Sequence, residues 1–145
     1  MHKHFIIIII VSAFFGLINY NSFVMNSEPG FLQAFSSILF IILWLGYGML
    51  GAKSHPFVFL FYLTCYFGVG AFLLVFGIFA MFFVYYPVAI VFTIPIYGGI
   101  RYFFDIMPSL RLEMLSILLL YVSCLCGYLL RRIYMILNYK KGISS

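Results

Sequence analysis

Residues 57–100 read FVFLFYLTCYFGVGAFLLVFGIFAMFFVYYPVAIVFTIPIYGGI, with no Asp, Glu, Lys, Arg or His anywhere in the run. As one helix these roughly 44 residues would be about 66 Å long at 1.5 Å per residue. A bilayer's hydrocarbon core is about 30 Å thick and is crossed by about 20 residues. The run is too long for one crossing and too apolar for water, so it must fold back inside or at the edge of a membrane. An isolated strand in lipid leaves backbone groups unpaired, which selects helix despite the β-branched and aromatic content. The expected fold is an all-α integral membrane protein, a small bundle of five hydrophobic helical segments with four or five full crossings.

The whole chain agrees with this solvent. Of 145 residues, 66% are hydrophobic and 8% charged, against about 25% charged in a typical soluble domain. The length allows one transmembrane domain, residues 1–145, and leaves no room for a separate soluble module. The net charge of +5 is spread over Lys3, Lys53, Arg101, Arg111, Arg131, Arg132, Lys140 and Lys141. Such a scatter suits cytoplasmic flanks and anionic headgroups. It lacks the basic groove with interleaved aromatics of a nucleic-acid binder, so no nucleic-acid partner is expected. Cys65, Cys124 and Cys126 all lie in apolar runs and form no CxxC pair, which reads as packing rather than a disulfide framework.

Outward from residues 57–100, polar breaks divide the chain. The first segment is expected at about 5–25. Its basic head and Ile-rich run resemble the start of a signal peptide, but no small-residue cleavage site follows, so a retained span is expected. Asn26-Ser27-Glu28-Pro29-Gly30 is a turn by its chemistry, with Asn26 or Ser27 able to cap the next helix. The second segment is expected at 31–52, followed by the break at Lys53-Ser54-His55-Pro56. The third and fourth, 57–84 and 87–104, are divided at Tyr85-Tyr86-Pro87, because Tyr prefers the interface and Pro suits a helix's first turn. Pro95 should kink the fourth near residues 91–95. The fifth runs over 110–137, with Arg131-Arg132 ending its apolar stretch. Small residues at four-residue spacing, Gly48 with Ala52 and Ser123 with Gly127, allow close helix approach, so Gly48, Ala52 and Gly127 are candidate packing positions.

Topology is a contest. Five crossings divide the cations evenly, Lys3, Lys53, Arg101 and Arg111 against Arg131, Arg132, Lys140 and Lys141. If the short, Pro- and Gly-broken fourth segment re-enters and leaves on its own side, the split becomes six against two, a stronger positive-inside bias. Five helical segments are favoured, with four full crossings as the alternative. The density of charge after residue 130 places the tail in the cytoplasm, and the long Phe/Ile/Leu runs suit a bacterial inner membrane.

Chemistry is sparse. His2 and His4 lie on the N-terminal head and His55 in a loop; a three-ligand metal site from them is conceivable, but none is expected, and no cofactor is implied. Arg101, Asp105, Arg111 and Glu113 form the one charged cluster near the membrane. The plain reading is a hydrated loop with Arg101 and Asp105 paired at i,i+4 and the arginines snorkelling. The functional reading is a polar mouth for a lipid headgroup or a partner. No ionisable residue falls at a segment centre, where ion and proton paths keep them. The chain therefore reads as a structural, accessory or immunity-type subunit acting through helix contacts with the bilayer, another membrane protein or itself. A transporter or channel component is the alternative. A lipid-modifying enzyme, with Asp105 or Glu113 as base, comes third; an enzyme is the less expected outcome.

Overall fold

A computed structural model describes residues 2–52, 56–79, 82–104 and 109–143. Among these described residues all six elements are helices: α1 (His2–Val24), α2 (Phe31–Gly51), α3 (Pro56–Phe79), α4 (Phe82–Phe92), α5 (Ile94–Phe104) and α6 (Leu110–Ile143). Stretches of α1, α2, α3 and α6 are long and apolar enough to cross a membrane, and α4 with α5 passes the same test as one pair bent by 69°.

The faces of α1 are compatible with an apolar surrounding. Ile6, Ile10, Phe14 and Leu17 are exposed, while Ser12, Phe15, Asn19 and Ser22 are buried. A soluble amphipathic helix has the reverse arrangement. In lipid, burying an alkyl chain gains little, so contact density and interhelical hydrogen bonds must hold helices together. Both are present. A Cβ on Gly48 would lie 1.9 Å from the Cys124 carbonyl oxygen, and one on Gly127 would lie 1.9 Å from that of Leu45. α2 and α6 therefore touch backbone to backbone, forming the most extensive helix pair of the bundle. Ser123 Oγ adds a hydrogen bond to the Ile41 carbonyl at 3.1 Å. Beside this seam Trp44 packs against Phe67 at 4.9 Å and Tyr66 at 5.6 Å between ring centroids. The aromatic cluster continues to Phe92 through Tyr66 and to Phe40 through Trp44.

Cross-helix contacts fix the directions. Phe15 meets Phe40 and Asn19 meets Ser36, so α1 and α2 run antiparallel. Ile41 meets Ser123 and Leu45 meets Gly127, so α2 and α6 run the same way. Phe59 meets Tyr128 and Thr64 meets Tyr121, so α3 opposes α6. One end of the bundle thus gathers the Asn26 turn, the end of α3 and the start of α6. The other gathers the starts of α1 and α3, the end of α2 and the long end of α6.

The first two segments follow the expected bounds closely, and the fifth starts where expected and runs on to Ile143, but the division within residues 57–100 differs. Tyr85, Tyr86 and Pro87 lie inside α4 rather than at a turn. α3 ends at Phe79 instead, and α4 begins at Phe82. Lipid tolerates an intrahelical proline that water would expel, because neighbouring helices satisfy the freed groups. The expected bend near Pro95 is present and sharper than a kink. The α-helix stops at Thr93, whose Oγ1 donates back to the Ala89 carbonyl at 3.2 Å. Pro95 then occupies the first turn of α5, where a missing N–H costs nothing. The α2 cap also differs: Gly30 precedes the helix and its N–H donates to Gln33 Oε1 at 2.7 Å, while Asn26 and Ser27 do not cap it.

Candidate functional site

The broken pair α4–α5 is the feature around which polar groups collect. α4 runs down α3 in the opposite direction: a Cβ on Gly77 would meet the Tyr85 backbone at 2.8 Å, and one on Gly70 the Phe92 ring at 2.5 Å. Phe92, just before the break, packs on Tyr66 and Phe67, halfway along α3. α5 then climbs beside α1, with the Pro95 carbonyl at Asn19 and Arg101 at Asn26. Both ends of the pair lie at the Asn26 end of the bundle, and the break lies at mid-depth.

Glycines let α5 lie this close. A Cβ on Gly98 would fall 2.0 Å from Asn19 Oδ1, and one on Gly99 would fall 2.9 Å from the Ser37 Cβ. Asn19 is fully buried, and its Nδ2 donates to the Phe15 and Pro95 carbonyls and to Ser36 Oγ, each at 3.2 Å. With two N–H bonds and three acceptors, one N–H is shared between two of them. The Gly99 N–H donates to Ser37 Oγ at 3.0 Å, and Ser37 Oγ donates in turn to the Gln33 carbonyl at 3.0 Å. Gln33 Nε2 reaches the Ile18 carbonyl at 3.3 Å. One side chain, Asn19, thereby ties three helices. Asn19→Ala should lower stability by about 1–2 kcal/mol, the upper range for interhelical hydrogen bonds in membranes. Unfolding in a denaturing detergent series reads this, and an unchanged midpoint would show that the network contributes nothing net.

The charged cluster is not the hydrated loop that its sequence suggests. Arg101 is 8% exposed and Glu113 is 4% exposed, whereas Arg111 is exposed. Arg101 Nη1 donates to the Tyr97 hydroxyl at 2.7 Å and to Asn26 Oδ1, and its Nη2 donates to the Asn26 carbonyl at 3.1 Å. Glu113 Oε1 accepts the Tyr85 hydroxyl. The cluster is therefore divided between two elements, with Arg101 bound to the α1–α2 turn and Glu113 to α4. Asp105 lies outside the described residues, as do the side chains of His2, His4 and His55. Among the described residues no three His, Cys, Asp or Glu side chains converge as a metal site. Asn26 carried no signal in sequence except its place before Ser-Glu-Pro-Gly; its partner is 75 residues away.

Between α1 and α2, in the half away from Asn26, a lateral groove of about 470 Å³ is lined by Val11, Ser12, Phe40, Trp44, Tyr47 and Leu50 among others. Its walls are almost wholly apolar, which gives it no chemistry. At the same end, Arg132 Nε donates to the Tyr128 hydroxyl at 3.2 Å, and the Arg131 guanidinium lies 5.4 Å from the Tyr134 ring centre. This is the pattern of an interfacial anchor. Compared with known proteins, the chain matches no family model, no curated protein and no solved structure.

Proposed function

We propose that the protein is a membrane-embedded accessory scaffold with four full crossings and one re-entrant helical hairpin, α4–α5. Its work is done through helix contact with another membrane protein or a second copy. The observation that carries the scaffold reading is the use of interior polar groups. Asn19, Ser37 and Ser123 each bond across to another helix, and Thr93 and Ser116 bond back to their own. Groups engaged in this way tie helices together.

The topology is supported by the two ends of the hairpin, which return to the same end of the bundle, and by charge. Four crossings put Lys3, Lys53, Arg131, Arg132, Lys140 and Lys141 on one side, and Arg101 and Arg111 on the other. The six-cation side is the cytoplasm under the positive-inside bias. Length supports it as well: Glu113 to Arg131 is about 27 Å of helix, close to one hydrocarbon core. Reporters fused before Met1 and after Ser145 should both be active in the cytoplasm. A tail reporter active only outside, with the head inside, would select five crossings and remove the re-entrant hairpin.

The second reading, a small-solute transporter or channel component, is favoured by one observation. Helices broken at mid-depth at a proline recur where transporters bind substrate. The purified protein in liposomes separates the two readings. The scaffold should pass no more solute than empty vesicles, whereas a flux reduced by Thr93→Ala would make the break a permeation element.

A further inference from the structure

The Arg101 guanidinium is a buried cation whose hydrogen-bond partners are all neutral: an amide oxygen, a backbone carbonyl and a phenol hydroxyl. Its five N–H bonds are disposed in a rigid plane. Two from Nη1 and one from Nη2 are used, and Nε is buried without a partner. The two bonds to Asn26 leave from Nη1 and Nη2 together, so they occupy the end of the fork. The remaining Nη2–H then lies parallel to Nε–H, and these two donors make the side edge that accepts a carboxylate or phosphate in a bidentate pair.

The turn holds this edge in place. Asn26 has a left-handed backbone with φ of 51°, a conformation that Asn tolerates better than most residues. The Ser27 N–H closes back on the Ser22 carbonyl at 3.1 Å, ending α1 with Asn26 in the position usually taken by glycine. Both Asn26 oxygens consequently meet the guanidinium, and Tyr97 is itself fixed by packing edge-on against Phe23 at 5.1 Å. A cation kept at low exposure by three positioned acceptors, with no carboxylate among them, lacks the opposite charge that makes such burial tolerable. The acidic residues nearest in sequence are the exposed Glu28 on the same turn and Asp105, outside the described residues; Glu113 is engaged by Tyr85.

We propose that the Nε/Nη2 edge of Arg101 is a binding site for an oxyanion of the phosphate class, at the end of the bundle where α5 meets the α1–α2 turn. This does not depend on the number of crossings or on the scaffold reading. The full chain, purified in neutral detergent, is tested by native mass spectrometry and by thermal unfolding followed through Trp44 fluorescence. The probes are phosphatidylglycerol against diacylglycerol, and inorganic phosphate against chloride at equal ionic strength.

Wild type should retain phosphatidylglycerol and not diacylglycerol, and the retained lipid should raise the unfolding midpoint. Arg101→Lys keeps the charge and loses the planar fork, so retention should fall about tenfold, equivalent to about 1.4 kcal/mol. Asp105→Asn and Glu28→Gln should retain lipid as wild type does. Stabilisation by inorganic phosphate as well as by lipid identifies a free oxyanion as a sufficient ligand; stabilisation by the lipid alone identifies a headgroup site. The proposal is overturned if neither probe acts on wild type, a result that stands even where Arg101→Lys fails to fold. It is equally overturned if folded Arg101→Lys binds undiminished, or if binding appears only in Asp105→Asn or Glu28→Gln, which would mean that an internal carboxylate fills the edge.

Discussion

Gly48→Leu should be among the most damaging single substitutions in the chain, lowering stability by about 3 kcal/mol, the upper part of the range for overpacking. The added Cβ meets backbone, the Cys124 carbonyl oxygen at 1.9 Å and the Tyr128 nitrogen at 2.9 Å. A clash with backbone cannot be relieved by a rotamer change, so α2 and α6 must part along their shared seam. Gly127→Leu should act in the same way through the Leu45 carbonyl. Gly46→Leu is the control: Gly46 borders the lateral groove between α1 and α2, and nothing lies within 4 Å of a Cβ there. Unfolding midpoints of the three purified variants decide the matter. If Gly46→Leu costs as much as Gly48→Leu, the losses come from helix propensity or insertion and not from close approach.

Trp44→Ala should cost about 2–4 kcal/mol, at or somewhat below the usual range for removing a buried aromatic. The reason for the discount is the solvent. In water much of the loss would be transfer free energy, but a bilayer interior is as apolar as the core. What remains is the dispersion contact that the indole makes and the void that it leaves. Trp44 is 4% exposed and touches the rings of Phe40, Tyr47, Tyr66 and Phe67, which join α2 to α3. Trp44→Phe should recover most of the loss. Denaturation in mixed micelles reads both variants; a Trp44→Ala protein as stable as wild type would show that the cluster collapses freely around the gap.

The residues differ in how much of this was legible beforehand. Long apolar runs set between polar breaks marked α1, α2 and the starts of α3 and α6 to within a few residues, because residue polarity acts locally. Pro95 marked the break at Thr93 for the same reason: a missing N–H is a local fact. Tyr85-Tyr86-Pro87 misled, since a proline in the first turn and one deeper in a helix have the same local sequence. What distinguishes them is the packing of Tyr85 against Gly77 and its bond to Glu113, 28 residues on. The polar ties were least legible. Asn19 and Ser37 looked like isolated polar residues on apolar helices, and only the approach of Gly98 and Gly99 gives them partners. Arg101 and Glu113 looked hydrated because a sequence does not say which turn folds over which helix end.

The close seam between α2 and α6 has a consequence in time. Ile41 and its bonding partner Ser123 are 82 residues apart in the chain, and the ribosome adds about 5–20 residues per second. From the synthesis of one to the synthesis of the other takes about 4–16 s at those rates. During that interval α2 must wait with its Gly48 groove unfilled, since the helix that fills it is made later.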